Sequence, residues 1–142
     1  MTTYCLMEDL ADAIRRGNVV PPDRVYASTT PDENHTSEPI VILTAQNQTY
    51  EHTVSRLNAF RKTIVKITCQ SEEIYADFER RLGELALVVT QRIRQRERSR
   101  NVLYWNRGED TIVNQMRDGE PVNAYSGTIV FEITEWNPNG GL

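Results

Sequence analysis

Five arginines at alternate positions form the sharpest chemical signal in this sequence: Arg92, Arg94, Arg96, Arg98 and Arg100. Guanidinium groups bind phosphates and carboxylates through paired hydrogen bonds, so the run predicts contact with a nucleic-acid backbone or with acidic side chains. On a helix, residues two apart point about 200° apart, so Arg92, Arg96 and Arg100 would form one row and Arg94 and Arg98 another. The helix dipole also favours arginines in the last turns. No aromatic residues alternate with the arginines to stack on bases, which counts against nucleic-acid contact. Three interpretations stay open: a solvated helix end, ion pairing and nucleic-acid contact.

The acidic residues that could pair with these arginines lie in two polar segments, 28–39 and 108–124. The candidates are Asp32, Glu33, Glu109, Asp110, Asp118 and Glu120. The first segment reads as an exposed loop, and the second contains turn signals around a short strand-like piece. We expect both to be docking elements that order on assembly. The five arginines and these six acids are the candidate subunit or partner interface.

Charge is segregated into three blocks along the chain. Residues 1–55 carry three basic and eight acidic side chains, residues 56–107 twelve and six, and residues 108–142 one and six. The net charges are therefore −5, +6 and −5, which sum to the chain's −4. Fourteen of the sixteen basic residues are arginine. Such blocks suit ion pairing within or between subunits, although solvated charged faces would give the same pattern.

The residues typical of catalytic or metal sites do not form a set. His35 and His52 are the only histidines, and neither has a Cys or Ser nucleophile at a suitable spacing. Cys5 and Cys69 are far apart, and we expect both to be small buried hydrophobes. The seven glycines match no phosphate-binding spacing. The sequence therefore predicts no catalytic residue, no metal and no cofactor, and we expect a protein that is not an enzyme.

Length and composition predict one soluble domain. The chain has 142 residues, of which 39% are hydrophobic and 25% charged. No apolar run approaches the roughly 20 residues that a membrane helix needs. The first ten residues lack the basic start and apolar core of a signal peptide, so we expect the protein to stay in the cytoplasm in which it is made.

A long amphipathic helix from residue 71 to residue 98 must position the arginine run. Its apolar residues follow one another at steps of four, four, three, four and four: Ile74, Phe78, Leu82, Leu85, Val89 and Ile93. Ser71 is the predicted N-cap. The carboxylates of the first turns are explained by the helix dipole rather than by acid–base catalysis: Glu72, Glu73, Asp77 and Glu79.

The other elements are a first helix that stops at Gly17 and a series of strands. Strands are predicted over 24–27, 40–45, 50–66 with an extension to Cys69 or Gln70, 101–107, 111–116 and 125–136, and a turn over 46–49. This order predicts an α+β fold, a mostly antiparallel sheet with one long helix and an N-terminal helix packed on one face. Residues 1–136 form the predicted single domain, and residues 137–142 a flexible tail.

This arrangement resembles the tail terminator proteins of tailed bacteriophages. The residues that carry the likeness are 60–71, a strand running into the long helix, 71–93, and the final strand 125–136, which ends in an aromatic residue. The resemblance covers most of the chain, and that family is defined by fold and size more than by a fixed motif. It implies a virion protein of the tail or neck, assembled in the host cytoplasm, with no active site to carry over.

The resemblance also implies partners. Such proteins close into a homo-oligomeric ring, a hexamer, which caps the tail tube, ends tail polymerisation and joins the tail to the head. The partners would be other copies of the chain, the tail tube protein and a neck or head-completion protein, with a tail sheath as a further candidate. DNA would pass through the lumen without specific binding, and no membrane is involved.

Three alternatives to a tail terminator remain open. The first is a head-completion or neck adaptor protein of the same connector region. The second, from another class, is a small α+β enzyme or ligand-binding domain with a pocket between helices and sheet. The third, a nucleic-acid-binding module, would rest on the arginine run alone.

Overall fold

The computed structural model describes residues 3–27, 39–52, 59–95, 100–108, 110–117 and 119–136. They form two helices, a short 3₁₀ turn and six strands. The order is α1 (Thr3–Gly17), the turn Pro22–Arg24, β1 (Val25–Ala27), β2 (Ile40–His52), β3 (Ala59–Ser71), α2 (Tyr75–Gln95), β4 (Arg100–Arg107), β5 (Thr111–Arg117) and β6 (Glu120–Trp136).

The strands form one sheet in the order β1-β2-β3-β6-β4, and β5 also pairs with β6. Every pairing is antiparallel except that of β1 with β2. Strand β6 pairs with three strands: with β3 along one edge and with β5 and then β4 along the other. The predicted fold class, α+β with a mostly antiparallel sheet and both helices, is confirmed.

Both helices pack on the same face of the sheet. Strand residues two apart share a face, and one such set in the three central strands is fully buried: Val41, Leu43, Val65, Ile67, Cys69, Ile129, Phe131 and Ile133. The apolar stripes of α1 and α2 complete this core. Of the six residues predicted for the α2 stripe, five are buried, whereas Ile74 is 68% exposed.

Helix α2 begins later than predicted. Ser71 is the last residue of β3, held there by pairing with Tyr125, so it is not the N-cap. The Ser71 hydroxyl accepts a hydrogen bond from the Glu73 backbone at 3.3 Å, and the helix begins at Tyr75. The helix is described as far as Gln95, and residues 96–99 lie outside the described part of the chain. Because Arg100 lies in β4, the predicted helical row that included Arg100 is wrong.

Two other segments also differ from the prediction. The predicted turn over 46–49 is wrong, because β2 continues through these residues to His52. The pairing of β2 with β3 shifts register between Ala45 and Asn47, as at a β-bulge. The last strand was predicted from residue 125, but β6 begins at Glu120, and its first part pairs with β5, which covers the short piece predicted over 111–116. Gly119, at φ +81°, lies in the turn between these two strands.

Candidate subunit interface

The first arginine of the run binds an acidic residue of the same chain. Arg92 donates from Nε and Nη2 to Asp9 Oδ1 at 2.9 and 2.6 Å. The two side chains are only 22% and 15% exposed, so this ion pair ties α2 to α1. For Arg92, ion pairing within the chain is therefore the interpretation that the structure supports.

Of the remaining arginines of the run, the structure describes Arg94 in α2 and Arg100 in β4. Arg94 is exposed near the end of α2 and forms no ion pair with any described residue. Arg96 and Arg98 lie outside the described residues. Arg100 starts β4, where its Cα is paired with that of Glu135.

The acidic candidates lie far from Arg94 or outside the described part of the chain. Asp110 precedes β5, and its Oδ2 accepts a hydrogen bond from Tyr75 Oη at 2.8 Å, at the opposite end of α2. A helix of 21 residues is about 30 Å long, so Asp110 and Arg94 belong to different surfaces. Glu120 begins β6 opposite Arg117. The others, Asp32, Glu33, Glu109 and Asp118, are outside the described residues.

An exposed apolar patch at the start of α2 was missed in the sequence. It consists of Ile74, Tyr75 and Ile112, which are 68%, 45% and 61% exposed. The Tyr75 ring lies 5.1 Å from the ring of Tyr125, which is the β6 partner of Ile112, so Ile112 lies close to the start of α2, where Ile74 directly precedes Tyr75. Periodicity placed Ile74 in the core stripe, and nothing local marks Ile112 as the neighbour of a helix start.

The hydroxyl of Tyr75 is fixed by carboxylates. Hydrogen bonds to Glu79 and to Asp110 raise the pKa of Tyr75 to about 12. The phenol therefore stays protonated and donates over the whole neutral range. This contact holds the start of α2 against the start of β5 and orients the apolar patch.

A groove runs between the two helices at the other end of the molecule. It has a volume of about 280 Å³ and is lined by Ala13, Arg16, Gly17, Val88, Gln91 and Arg92. A Cβ on Gly17 would lie 3.2 Å from Val88 Cγ2, so glycine lets the helices approach closely here. We call this the helix groove. Its rim contains Arg16, which is exposed and has no ion pair among the described residues.

The hairpin of β5 and β6 extends beyond the rest of the sheet. Pairing of β6 with β3 begins only at Tyr125, whereas β5 and β6 stay paired out to Arg117 and Glu120. Residues 113–117 and 120–124 therefore form a two-stranded arm. Each strand of the arm has one partner among the described strands, and its other edge presents backbone hydrogen-bonding groups.

The face of the sheet opposite the helices is uncovered in the described part of the chain. Its residues are half-buried and mix charges with apolar groups: Ile42, Lys62, Ile64, Lys66, Thr68, Thr128, Val130 and Glu132. The central strands thus separate a dry core from a broad surface of mixed charge.

Neither protein-family models nor curated protein sequences match this chain. In the described residues, no helix has the length and apolar character to cross a membrane. Within the same residues, no group of three or more His, Cys, Asp or Glu could hold a metal ion.

Proposed function

We propose that this protein is a structural subunit of a bacteriophage virion, one that closes into a ring on the tail tube. The ring would end tail polymerisation and join the tail to the head or neck. The observation that carries the proposal is the one-sided sheet, in which both helices cover one face and leave the other broad and open. The resemblance to tail terminator proteins supports the same assignment.

An open sheet face suits a subunit that supplies one segment of the surface of a ring. Repeated around a ring, such faces form a continuous surface toward a lumen or toward an adjacent ring. Lys62, Lys66 and Glu132 give this face a net charge of +1 per subunit. So few positive charges would hold DNA phosphates only weakly, which suits a lumen through which DNA passes.

The arm suits contact with the tail tube or with a neck protein. A two-stranded hairpin is marginally stable alone, so an arm extending from the sheet gains order from a partner. Strand edges with open backbone groups pair readily with another strand. The tail tube protein, a neck or head-completion protein and, as a further candidate, a tail sheath are the proposed partners.

The first test is the mass of the purified protein by light scattering, with negative-stain imaging, across a series of salt concentrations. We expect rings of about six subunits that loosen as salt rises, because exposed ion pairs are screened. Discrete compact dimers at every concentration would contradict a ring.

The second test addresses capping itself. The tail tube protein of the same virus is polymerised with and without this chain, and tube lengths are measured by electron microscopy. Shorter tubes that carry a ring at one end are expected. Tubes of unchanged length, together with binding to the head portal, would favour the neck adaptor instead.

A further inference from the structure

Two surfaces at opposite ends of α2 differ in charge and in the side chains that form them. The apolar patch lies at residues 74 and 75, and the helix groove at residues 88 to 92. At 1.5 Å per residue, about 20 Å of helix separates them. They are therefore distinct surfaces of one subunit.

The patch consists of large, exposed apolar side chains. Because Ile74 and Ile112 are more than half exposed, each can bury substantial apolar area against a partner. The surrounding segment 72–81 contains four acidic and two basic residues, a net charge of −2. Glu73 is paired with Arg81 at 2.7 Å, whereas Asp77 is 49% exposed and lies 3.8 Å from the exposed Arg80.

The helix groove has the opposite character. Ala13, Gly17 and Val88 supply small or apolar lining, and Arg16 supplies positive charge at the rim. Arg94 lies three residues after Gln91, so the two are neighbours on the helix surface. The volume of about 280 Å³ is below that of typical small-ligand pockets, about 300–1,000 Å³, and suits one or two inserted side chains.

We propose that the apolar patch of one copy of this chain inserts into the helix groove of the next copy. Ile74 and Ile112 supply the inserted apolar surface, while Asp77 lies toward Arg16 and Arg94 of the neighbour. Because the two surfaces differ, the contact is head-to-tail and can close a ring. The inference deepens the proposed function and rests on it, since it names the contact that would build the ring.

The test uses two double variants of the full chain. The patch variant is Ile74→Arg with Ile112→Arg, and the groove variant is Arg16→Glu with Arg94→Glu. All four side chains are exposed, so folding should be kept, and circular dichroism checks this. Gly83→Arg and Gly83→Glu are matched controls of both signs, because a Cβ at this exposed helical position meets nothing within 4 Å.

We expect each double variant to associate at least tenfold more weakly than the parent chain, and the Gly83 controls to behave like the parent. An equimolar mixture of the two variants still contains one intact patch and one intact groove. It should therefore form a dimer of twice 16.4 kDa, and nothing larger, by light scattering. A self-complementary contact of patch on patch would not give this complementation.

Several results would overturn either this contact or the ring that it is proposed to build. Rings that persist in both double variants would exclude this contact and leave the ring itself standing. A patch variant that forms parent-like rings but no longer caps tubes would assign the patch to the tail tube protein. A parent chain that is monomeric at every concentration and salt would exclude pairing of copies in solution, and the capping assay alone would then decide the function. Head-to-tail filaments abolished by both variants would support the contact and contradict the ring.

Discussion

The two faces of the central strands differ in their side chains. On the helix side, Leu43, Ile67 and Ile129 lie in one row across β2, β3 and β6, and each is at most 1% exposed. On the other side, the adjacent row contains Lys66 and Val130, both half-buried. Alternation along a strand thus separates residues that stabilise the fold from residues free to serve a partner. Substitutions on either side test this difference.

The largest effect should come from opening the covered face. Phe131→Ala removes a fully buried ring between the sheet and the helices, and we expect a loss of about 3–5 kcal/mol in the free energy of unfolding, measured in urea. The control is Val130→Ala, one residue away on the open face, which should cost less than about 1 kcal/mol. Equal losses in the two variants would mean that the open face is covered as well.

The second effect tests how closely α2 approaches the sheet. A Cβ on Gly127 would lie 2.7 Å from Leu82 Cδ1 and 2.9 Å from Phe78 Cζ, so Gly127→Val forces helix and strand apart. We expect a destabilisation of about 1–3 kcal/mol or more by the same urea measurement. Gly83→Ala, on the exposed side of α2, should instead stabilise by up to about 1 kcal/mol. A neutral Gly127→Val variant would show that the helix is free to move.

The part of the fold that was predicted correctly depends on local periodicity. Phe78, Leu82 and Ile93 repeat at helical spacing and are buried, and the strand predicted over 125–136 lies within β6. Ile74 was misassigned because Ser71, before it, is retained by a strand partner 54 residues further along the chain. The polar sequence at 46–49 reads as a turn, yet residues 47–49 are paired with β3 and Gln46 lies at the register shift. Tertiary pairing overrides weak local signals in such places.

The candidate site was harder to predict for the same reason. Arg92 and its partner Asp9 are 83 residues apart, and no sequence pattern connects them. The apolar patch joins Ile112 to Tyr75 only because Tyr125 brings β5 beside the start of α2. Neighbours that meet through a third element leave no trace in local spacing.

The third prediction concerns the thiol on the covered face. Burial raises the pKa of Cys69 from the ordinary value of 9.0 to about 12. The unfolded thiol therefore ionises above pH 9 while the folded thiol keeps its proton, so stability falls as the pH rises from 9 toward 12. The slope is about 1.4 kcal/mol per pH unit.

Cys69→Ala isolates that contribution. The variant should lose less stability than the parent chain between pH 9 and pH 10.5, whatever constant penalty the missing sulfur imposes. Urea unfolding of both proteins at each pH gives the comparison. Parallel pH profiles would show that the thiol reaches solvent in the folded state.

The smallest effect should come from the ion pair between Arg92 and Asp9, which joins the two helices. Asp9→Asn keeps the size of the side chain but leaves the Arg92 guanidinium, which is 22% exposed, without its carboxylate. We expect a loss of about 1 kcal/mol, since the pair is only partly buried. Asp12→Asn is the matched control on the same helix, because its ion pair with Arg15 is more exposed and should contribute at most about 0.5 kcal/mol. If both substitutions cost the same, Arg92 is a solvated helix-end residue, and the arginine run again becomes a candidate for contact with a partner.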